Sequence, residues 1–252
     1  MGYRVVIPTA GIGSRLKEYT RHINKSLVSI ANRPIISHLI EQFPQDCEFV
    51  IALGHKGDLV RDFLELAYPD RIFFFANVDP FEGQGSGLGL SLLACEKYLQ
   101  EPFIFLSCDT LVKEIIPEPD RDWMGFSKIR DLAQYRTLKV TDGDVTEICE
   151  KGVIKENLKG YIGLAGVYNY EKFWHAMHTG SALAINQGEA FGMKSILESN
   201  NITANAFTWF DAGNIESIKI TREVYAEKGK PNILEKENEA IWFIKNNVIK
   251  FS

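Results

Sequence analysis

The stretch VVIPTAGIGSRL, residues 5–16, joins an unbroken apolar segment to a loop that carries two glycines and then Ser14 and Arg15. A glycine-rich junction between a strand and a helix exposes backbone N–H groups, and these donors bind phosphate oxygens with the help of the helix dipole. The stretch lacks the Lys-Ser/Thr ending of a P-loop and the third glycine of the dinucleotide fingerprint. By spacing alone it indicates either a tight turn or an anion-binding loop after a first strand.

Short apolar runs alternate with amphipathic stretches through the first half of the chain. The runs are rich in Val, Ile and Phe and predict buried strands within residues 3–8, 47–54, 71–78 and 102–109. Apolar residues at helical spacing predict helices within residues 34–43, 56–67 and 86–99. This alternation predicts an α/β fold with a doubly wound, mainly parallel, Rossmann-like sheet. A ligand site is expected at the loops that follow the carboxyl ends of the strands.

The pattern changes from about Trp123 onward. Residues 137–151 predict a hairpin that turns at TDGD, followed by a strand at 161–170 and a helix at 171–180. We expect a smaller α+β region here, within one domain at residues 1–231 whose halves are about 1–122 and about 123–231. Residues 232–252 predict a hairpin tail, with its turn at 245–247, that makes packing or homo-oligomer contacts.

The composition limits the classes of function that the chain can have. The chain has 252 residues, 45% of them hydrophobic, which is enough for a substantial core. The formal net charge of −5 argues against non-specific nucleic-acid binding but allows a local basic pocket for a small anion. No segment reaches the roughly 20 apolar residues of a membrane span, so we expect no membrane partner and a cytoplasmic protein. The four cysteines show no C-x-x-C spacing and are expected to be reduced and buried.

The segments AGIGSRL and NKSLVSIANRP resemble the opening signature of the nucleotidylyltransferases that activate sugar phosphates and related phosphate monoesters. In that family A-G-x-G-x-R precedes P-K-x-L and a later K-P. The matching residues are Ala10, Gly11, Gly13, Arg15, Lys25, Leu27, Arg33 and Pro34. Thr9 stands where a small apolar residue is usual, and Asn24 stands in place of the proline before the lysine. Neither departure removes a charged group.

The resemblance extends over about residues 5–218. LSCDTL resembles the G-D-N/T segment and implies that Asp109 is a Mg²⁺ ligand, and WFDAGNIESI implies Asp211 as the second metal carboxylate. By itself, an aspartate at a strand end is more often a cap or turn former than a metal ligand. TEICEKG resembles the E-E-K-P segment, which implies that Glu150 and Lys151 bind the acceptor. Glu189 matches the acid of a further G-E segment and is implied on the acceptor side as well.

The resemblance also implies which residues act on the nucleotide. Arg15 would hold the leaving phosphates, Lys25 the transferred α-phosphate and Lys151 the attacking phosphate, which makes these three the catalytic set. The halves at about 1–122 and 123–231 would bind nucleotide and acceptor, respectively. The implied nucleotide-binding residues are Ala10, Gly11, Gly13, Ser14, Gln84, Gly85, Ser86 and Cys108.

The implied reaction is a Mg²⁺-dependent transfer of NMP from an NTP to a small phosphate monoester with release of pyrophosphate. A phosphate monoester is already ionised near neutral pH, so no general base is required. The chain looks most like the small cytidylyltransferases of bacterial capsule and surface-polysaccharide pathways. Among these it resembles the enzymes that join CTP to L-glutamine phosphate to give CDP-L-glutamine. Sugar-1-phosphate and phosphocholine nucleotidylyltransferases, and a non-catalytic nucleotide-binding regulator, are the alternatives.

Overall fold

The computed structural model describes residues 2–129, 131–153, 155–226, 235–236, 239–244 and 247–251. The strands are β1 (Arg4–Pro8), β2 (Ser29–Ile30), β3 (Arg33–Pro34), β4 (Glu48–Leu53), β5 (Phe73–Asn77), β6 (Phe103–Leu106), β7 (Thr110–Val112), β8 (Trp123–Ser127), β9 (Thr137–Thr141), β10 (Asp144–Cys149), β11 (Leu158–Val167), β12 (Thr203–Ala206), β13 (Trp209–Asp211), β14 (Glu235–Lys236), β15 (Glu239–Ile244) and β16 (Asn247–Phe251). The α-helices are α1 (Ile35–Ile40), α2 (Gly57–Ala67), α3 (Leu88–Cys95), α4 (Tyr170–Thr179), α5 (Ser181–Gln187), α6 (Glu189–Leu197) and α7 (Ile215–Tyr225). Three 3-10 segments span Ser14–Thr20, Lys25–Leu27 and Glu96–Tyr98.

The central sheet confirms the predicted doubly wound α/β fold. Its strand order is β5-β4-β1-β6-β11-β8-β12-β10-β9, and the first four strands run parallel to one another. Successive residues of β1 point to opposite faces, because side chains alternate along a strand. Val5 and Ile7 belong to a core that includes Ile36 of α1 and Phe63 of α2, whereas Val6 belongs to a second core with α3, α4 and α6. Helices therefore cover both faces of the sheet.

The direction of the strands changes where the second half of the chain joins the central sheet. The long strand β11 runs antiparallel to β6 and also pairs with β8 and β9. Strands β8 and β12 are parallel, and β9 and β10 form the predicted hairpin. Its turn residues Asp142 and Gly143 have φ of 52° and 91°, which is the backbone that a tight two-residue turn requires. The second half is thus an α+β extension of the same sheet.

The tail forms a small antiparallel sheet, β14-β15-β16. Trp242 of β15 is fully buried, and its ring lies edge-to-face on Phe63 of α2 with 5.3 Å between ring centroids. The tail therefore packs on the first half of the chain. Residues 245 and 246 of the predicted turn lie outside the described residues.

Two further findings concern the chain as described. All four cysteines are buried and unpaired. Within the described ranges no helix has the length and apolar character needed to cross a membrane.

Candidate active site

A cavity of about 470 Å³ opens beyond the carboxyl ends of β1 and β6, where the two halves of the chain meet. Twelve of the residues predicted from the sequence line it: Ala10, Gly11, Gly13, Ser14, Arg15, Lys25, Ser86, Cys108, Asp109, Lys151, Glu189 and Asp211. Gln84, Gly85 and Glu150 are not among the lining residues. Gln84 and Gly85 lie in an exposed turn just before Ser86. The wall on that side is formed instead by Ser86 and the first residues of α3.

The loop after β1 owes its shape to Gly13. This residue has φ 66° and ψ 32°, a left-handed conformation that side chains other than glycine rarely adopt. A Cβ at this position would lie 3.0 Å from both Lys25 Cβ and Thr20 Cγ2. The second glycine of the opening stretch is therefore needed for the turn and for the close approach of Lys25.

Asn24 ties this loop to the segment that carries Lys25. It is fully buried, and its Nδ2 donates to the carbonyl oxygens of Thr9 at 2.9 Å and His55 at 2.6 Å. Its Oδ1 accepts from the Ser26 backbone N–H and hydroxyl, both at 2.9 Å. The asparagine that replaces the signature's proline thus fixes the position of Lys25 by hydrogen bonds.

Lys25 and Asp109 form an ion pair inside the cavity. The Ser107 hydroxyl donates to the other carboxylate oxygen of Asp109 at 2.5 Å. Burial alone would raise the pKa of Asp109, but the adjacent Lys25 ammonium outweighs it and lowers that pKa to about 2. Burial likewise opposes the charge on Lys25, yet the charge of Asp109 raises the Lys25 pKa. Both groups are therefore ionised at neutral pH.

Asp211 reaches the same place through the antiparallel pairing of β13 with β7, which sets it opposite Thr110. It accepts from the Gly213 N–H at 2.7 Å, from Asn214 Nδ2 at 3.1 Å and from the Tyr135 hydroxyl at 3.3 Å. Burial and the negative charge of Asp109 raise the pKa of Asp211. Two carboxylates that lie far apart in the sequence are thus held side by side.

The surroundings of Gly213 show how close together Asp109, Asp211 and Arg15 lie. A Cβ on this residue would lie 2.7 Å from Asp109 Oδ2, 2.8 Å from Asp211 Oδ1 and 3.5 Å from Arg15 Nη2. Carboxylate oxygens are the hard ligands that Mg²⁺ prefers, and that ion is commonly held by one or two carboxylates with substrate phosphates and water. No group of three or more His, Cys, Asp or Glu residues suited to a metal occurs among the described residues. The two carboxylates of Asp109 and Asp211 therefore suit a Mg²⁺ ion that is bound together with a phosphate substrate.

Lys151 and Glu189 line the cavity from the second half of the chain. Burial, followed by the positive charges of Arg15 and Arg136, lowers the pKa of Lys151. Glu189 begins α6 and is only 3% exposed, and this burial raises its pKa. Glu150 accepts instead from Arg136 Nε at 3.1 Å and from the Lys194 ammonium.

Arg136 is a charged residue of this site that the sequence reasoning missed. It lines the cavity beside Tyr135, Tyr161 and Trp209. The predicted hairpin begins at the next residue, but nothing in the local pattern indicates that this arginine lines a cavity. Cys108 lines the cavity with a neutral thiol, because burial raises its pKa to about 11.

The sequence is similar to that of a known protein family and to individual curated proteins. Residues 5–116 match the family model described as the MobA-like NTP transferase domain. The chain is 24% identical over 241 residues to the bifunctional protein GlmU of Methanococcus vannielii, a match that covers 90% of this chain and 56% of that protein. The chain spans about half the length or less of the first curated relatives that it matches.

Solved structures show the same architecture. A UDP-glucose pyrophosphorylase complexed with UDP-glucose superposes with a TM-score of 0.72 at 18% identity, covering 89% of this chain and 98% of that one. The CTP:phosphocholine cytidylyltransferase of Streptococcus pneumoniae gives 0.71 at 16% identity, covering 89% and 99%. The chain therefore has the Rossmann-like α/β fold of these nucleotidyltransferases, and its residues 5–116 carry the sequence pattern of an NTP transferase domain.

Proposed function

We propose that this chain is a Mg²⁺-dependent nucleotidylyltransferase that transfers NMP from an NTP to a small phosphate monoester and releases pyrophosphate. The observation that carries the proposal is the convergence of Arg15, Lys25, Asp109 and Asp211 around the position of Gly213. These residues come from separate segments of the chain. Two cations and two carboxylates at one strand-end cavity suit the reaction of two anionic phosphates.

The chain's own residues account for most of what the reaction needs. An oxygen of the acceptor phosphate attacks the α-phosphorus of the NTP, and the bond from that phosphorus to the bridging oxygen of pyrophosphate breaks. Arg15 holds the leaving phosphates, Lys25 stabilises the charge on the α-phosphate, and Lys151 holds the attacking phosphate. The loop with Gly11 and Gly13 lets the phosphates approach the backbone. Asp109 and Asp211 would hold Mg²⁺, which supplies charge neutralisation between the phosphates when it is bound.

For the specific substrates we propose CTP and L-glutamine phosphate, in bacterial capsule or surface-polysaccharide synthesis. The support is the resemblance of the IPTAGIGSRL and SCDTL segments to small cytidylyltransferases. The structural likeness to a CTP:phosphocholine cytidylyltransferase is compatible with CTP, whereas the likeness to a UDP-glucose pyrophosphorylase keeps a sugar 1-phosphate as the main alternative acceptor.

The test is pyrophosphate release from CTP, GTP, UTP, ATP and dTTP, each combined with L-glutamine phosphate, phosphocholine or glucose 1-phosphate in the presence of Mg²⁺. We expect release that depends on both substrates and is lost in Asp109→Asn. Asp120→Asn is the matched control, because Asp120 is an exposed aspartate paired with Arg121 on the surface. Nucleotide binding without release for any acceptor would refute the proposal and favour a nucleotide-binding regulator.

A further inference from the structure

Arg15 is the second residue of the 3-10 segment Ser14–Thr20, and this segment is not a continuous helix. Lys17 interrupts it with φ 48° and ψ −115°, a positive φ that residues other than glycine rarely adopt. The hydrogen bonds of 3-10 helices have poorer geometry than those of α-helices, so a kinked segment of this kind does not fix its own shape. The position of Arg15 therefore depends on what holds the rest of the segment.

Lys56 anchors the end of this segment that lies away from Arg15. Its Nζ donates to the carbonyl oxygens of Thr20 and Arg21, both at 2.7 Å, and to His55 Nε2 at 3.0 Å. Burial and the positive charge of Lys56 lower the pKa of His55, so its ring is neutral near pH 7 and can accept this hydrogen bond. The three donors of the ammonium are thus used within the chain, and Lys56 is not among the residues that line the cavity.

Thr20 connects this anchor to Arg15. The Thr20 hydroxyl donates to the carbonyl oxygens of Gly13 at 3.3 Å and Lys17 at 3.2 Å. Its methyl group packs beside Gly13, since a Cβ on that glycine would lie 3.0 Å from it. Thr20 is buried, and Arg15 follows Gly13 by two residues. A continuous series of contacts therefore leads from Lys56 through Thr20 and Gly13 to Arg15.

The backbone of Lys56 is uncommon for a lysine. Its φ is 51° and its ψ is 38°, a left-handed conformation that glycine and asparagine adopt more readily. Such a conformation costs free energy in other residues and persists where the surrounding structure holds it. The turn alone therefore does not explain a lysine at this position, whereas the hydrogen bonds of its ammonium do.

We propose that Lys56 is a positioning residue, which fixes Thr20 and Arg21 and thereby holds Arg15 at the β- and γ-phosphates of the NTP. This inference rests on the proposed nucleotidylyl transfer, in which Arg15 holds the phosphates that leave. An NMP lacks these two phosphates and so does not use Arg15. Lys56 should thus contribute to the affinity for the NTP and not to the affinity for the NMP.

The test measures binding of the preferred NTP, chosen from CTP, GTP, UTP, ATP and dTTP, and of the corresponding NMP, with Mg²⁺ and without acceptor. Lys56→Met removes the ammonium and keeps most of the side chain. We expect it to weaken NTP binding about 10-fold, roughly the loss of one hydrogen bond to a charged group, and to leave NMP binding unchanged. Lys56→Arg keeps a cation with several N–H donors and should restore NTP binding.

A double-mutant cycle shows whether Lys56 acts through Arg15. Arg15→Gln removes the group that is positioned, so adding Lys56→Met to it should cause no further loss of NTP affinity, whereas independent contributions would add. Lys155→Met is the matched control, because Lys155 is exposed and pairs with Glu147 on the surface. We expect it to bind both nucleotides as the wild type does.

Three results overturn the inference: unchanged NTP affinity in Lys56→Met, an equal loss for NTP and NMP, which marks a merely structural role, and additive losses in the double variant. Each leaves the proposed function in place if the wild-type chain releases pyrophosphate with any acceptor. Absence of release with every acceptor overturns the proposed function, while the binding cycle still decides the role of Lys56. A wild-type chain that binds no NTP overturns both. If Lys56→Met does not fold, Lys56→Gly, which suits the positive φ, takes its place in the cycle.

Discussion

Substitution of Gly213 by alanine tests whether the two aspartates act together. The added methyl group would lie 2.7 Å from Asp109 Oδ2 and 2.8 Å from Asp211 Oδ1. Gly213 does not have a positive φ, so the backbone accepts alanine without strain. The change therefore acts on the carboxylates and not on the fold.

The size of the effect follows from those distances. Both contacts are about 0.6–0.7 Å inside the 3.4 Å at which ordinary van der Waals contact begins. Each carboxylate is short and is held by other hydrogen bonds, so the clash must move at least one of them by several tenths of an ångström. A displacement on the order of 1 Å can cost roughly 100-fold in rate, so for this smaller displacement we expect kcat/KM to fall by about 10-fold.

The assay is pyrophosphate release at several Mg²⁺ concentrations, with thermal unfolding measured in parallel. We expect little change in melting temperature and a higher Mg²⁺ requirement in Gly213→Ala. Gly2→Ala is the control, because its added Cβ would come no closer than 4.0 Å to another side chain. Wild-type activity and Mg²⁺ dependence in Gly213→Ala would refute the pairing of Asp109 with Asp211 at one metal.

Three further substitutions test other parts of the molecule. Asp109→Asn should lower turnover by at least about 100-fold while circular dichroism shows a folded chain, and near-normal turnover would exclude Asp109 as a metal ligand. Because its folded-state pKa of about 2 lies below the ordinary 3.8, Asp109 stabilises the fold above about pH 4 and loses that contribution as the pH falls toward 2. Thermal melts between those values should thus fall more steeply for the wild type than for Asp109→Asn. Asn24→Ala removes the donor to the carbonyls of Thr9 and His55, which should cost about 1–3 kcal/mol in denaturant unfolding and raise the KM of the nucleotide through Lys25. Trp242→Ala should cost about 3–5 kcal/mol if the tail is part of the core, and an unchanged unfolding midpoint would show that it is not.

The first half of the fold is predictable because its signals are local. Each buried strand there is a continuous apolar run, and the helices between them carry their own periodicity. The hairpin at 137–149 is predictable as well, since Asp142 and Gly143 supply the positive φ that its turn needs. The antiparallel pairing of β11 with β6 is not predictable in this way. The direction of this strand depends on which edge of the sheet is free for pairing, and no local sequence pattern contains that information.

The residues of the candidate site fall into the same two groups, those that local signals predict and those that depend on tertiary packing. Three residues recognised by motif, Lys25, Asp109 and Asp211, reach one cavity. Asp109 follows β6, Asp211 ends β13, and Lys25 begins a 3-10 segment that Asn24 ties to the loop after β1. Glu150 matches its motif equally well, yet its carboxylate faces Arg136 and Lys194. Those partners lie 14 and 44 positions away, and only tertiary packing brings them to it. The motif therefore brings this segment to the cavity, which Lys151 lines, without revealing where the carboxylate of Glu150 points.

The Lys25–Asp109 ion pair shows how the site keeps its charges in place before substrate arrives. A buried ammonium and a buried carboxylate each cost several kcal/mol when unpaired, and here each is the counter-ion of the other. In the proposed reaction Lys25 must exchange this carboxylate for an oxygen of the α-phosphate. Asp109 then needs another cation, and Asp211 is already positioned to share it. The exchange leaves no charge unpaired only if nucleotide and divalent cation enter together, so nucleotide affinity should rise with Mg²⁺. In Asp109→Asn that dependence should weaken, because Lys25 is then free to bind phosphate without giving up a partner.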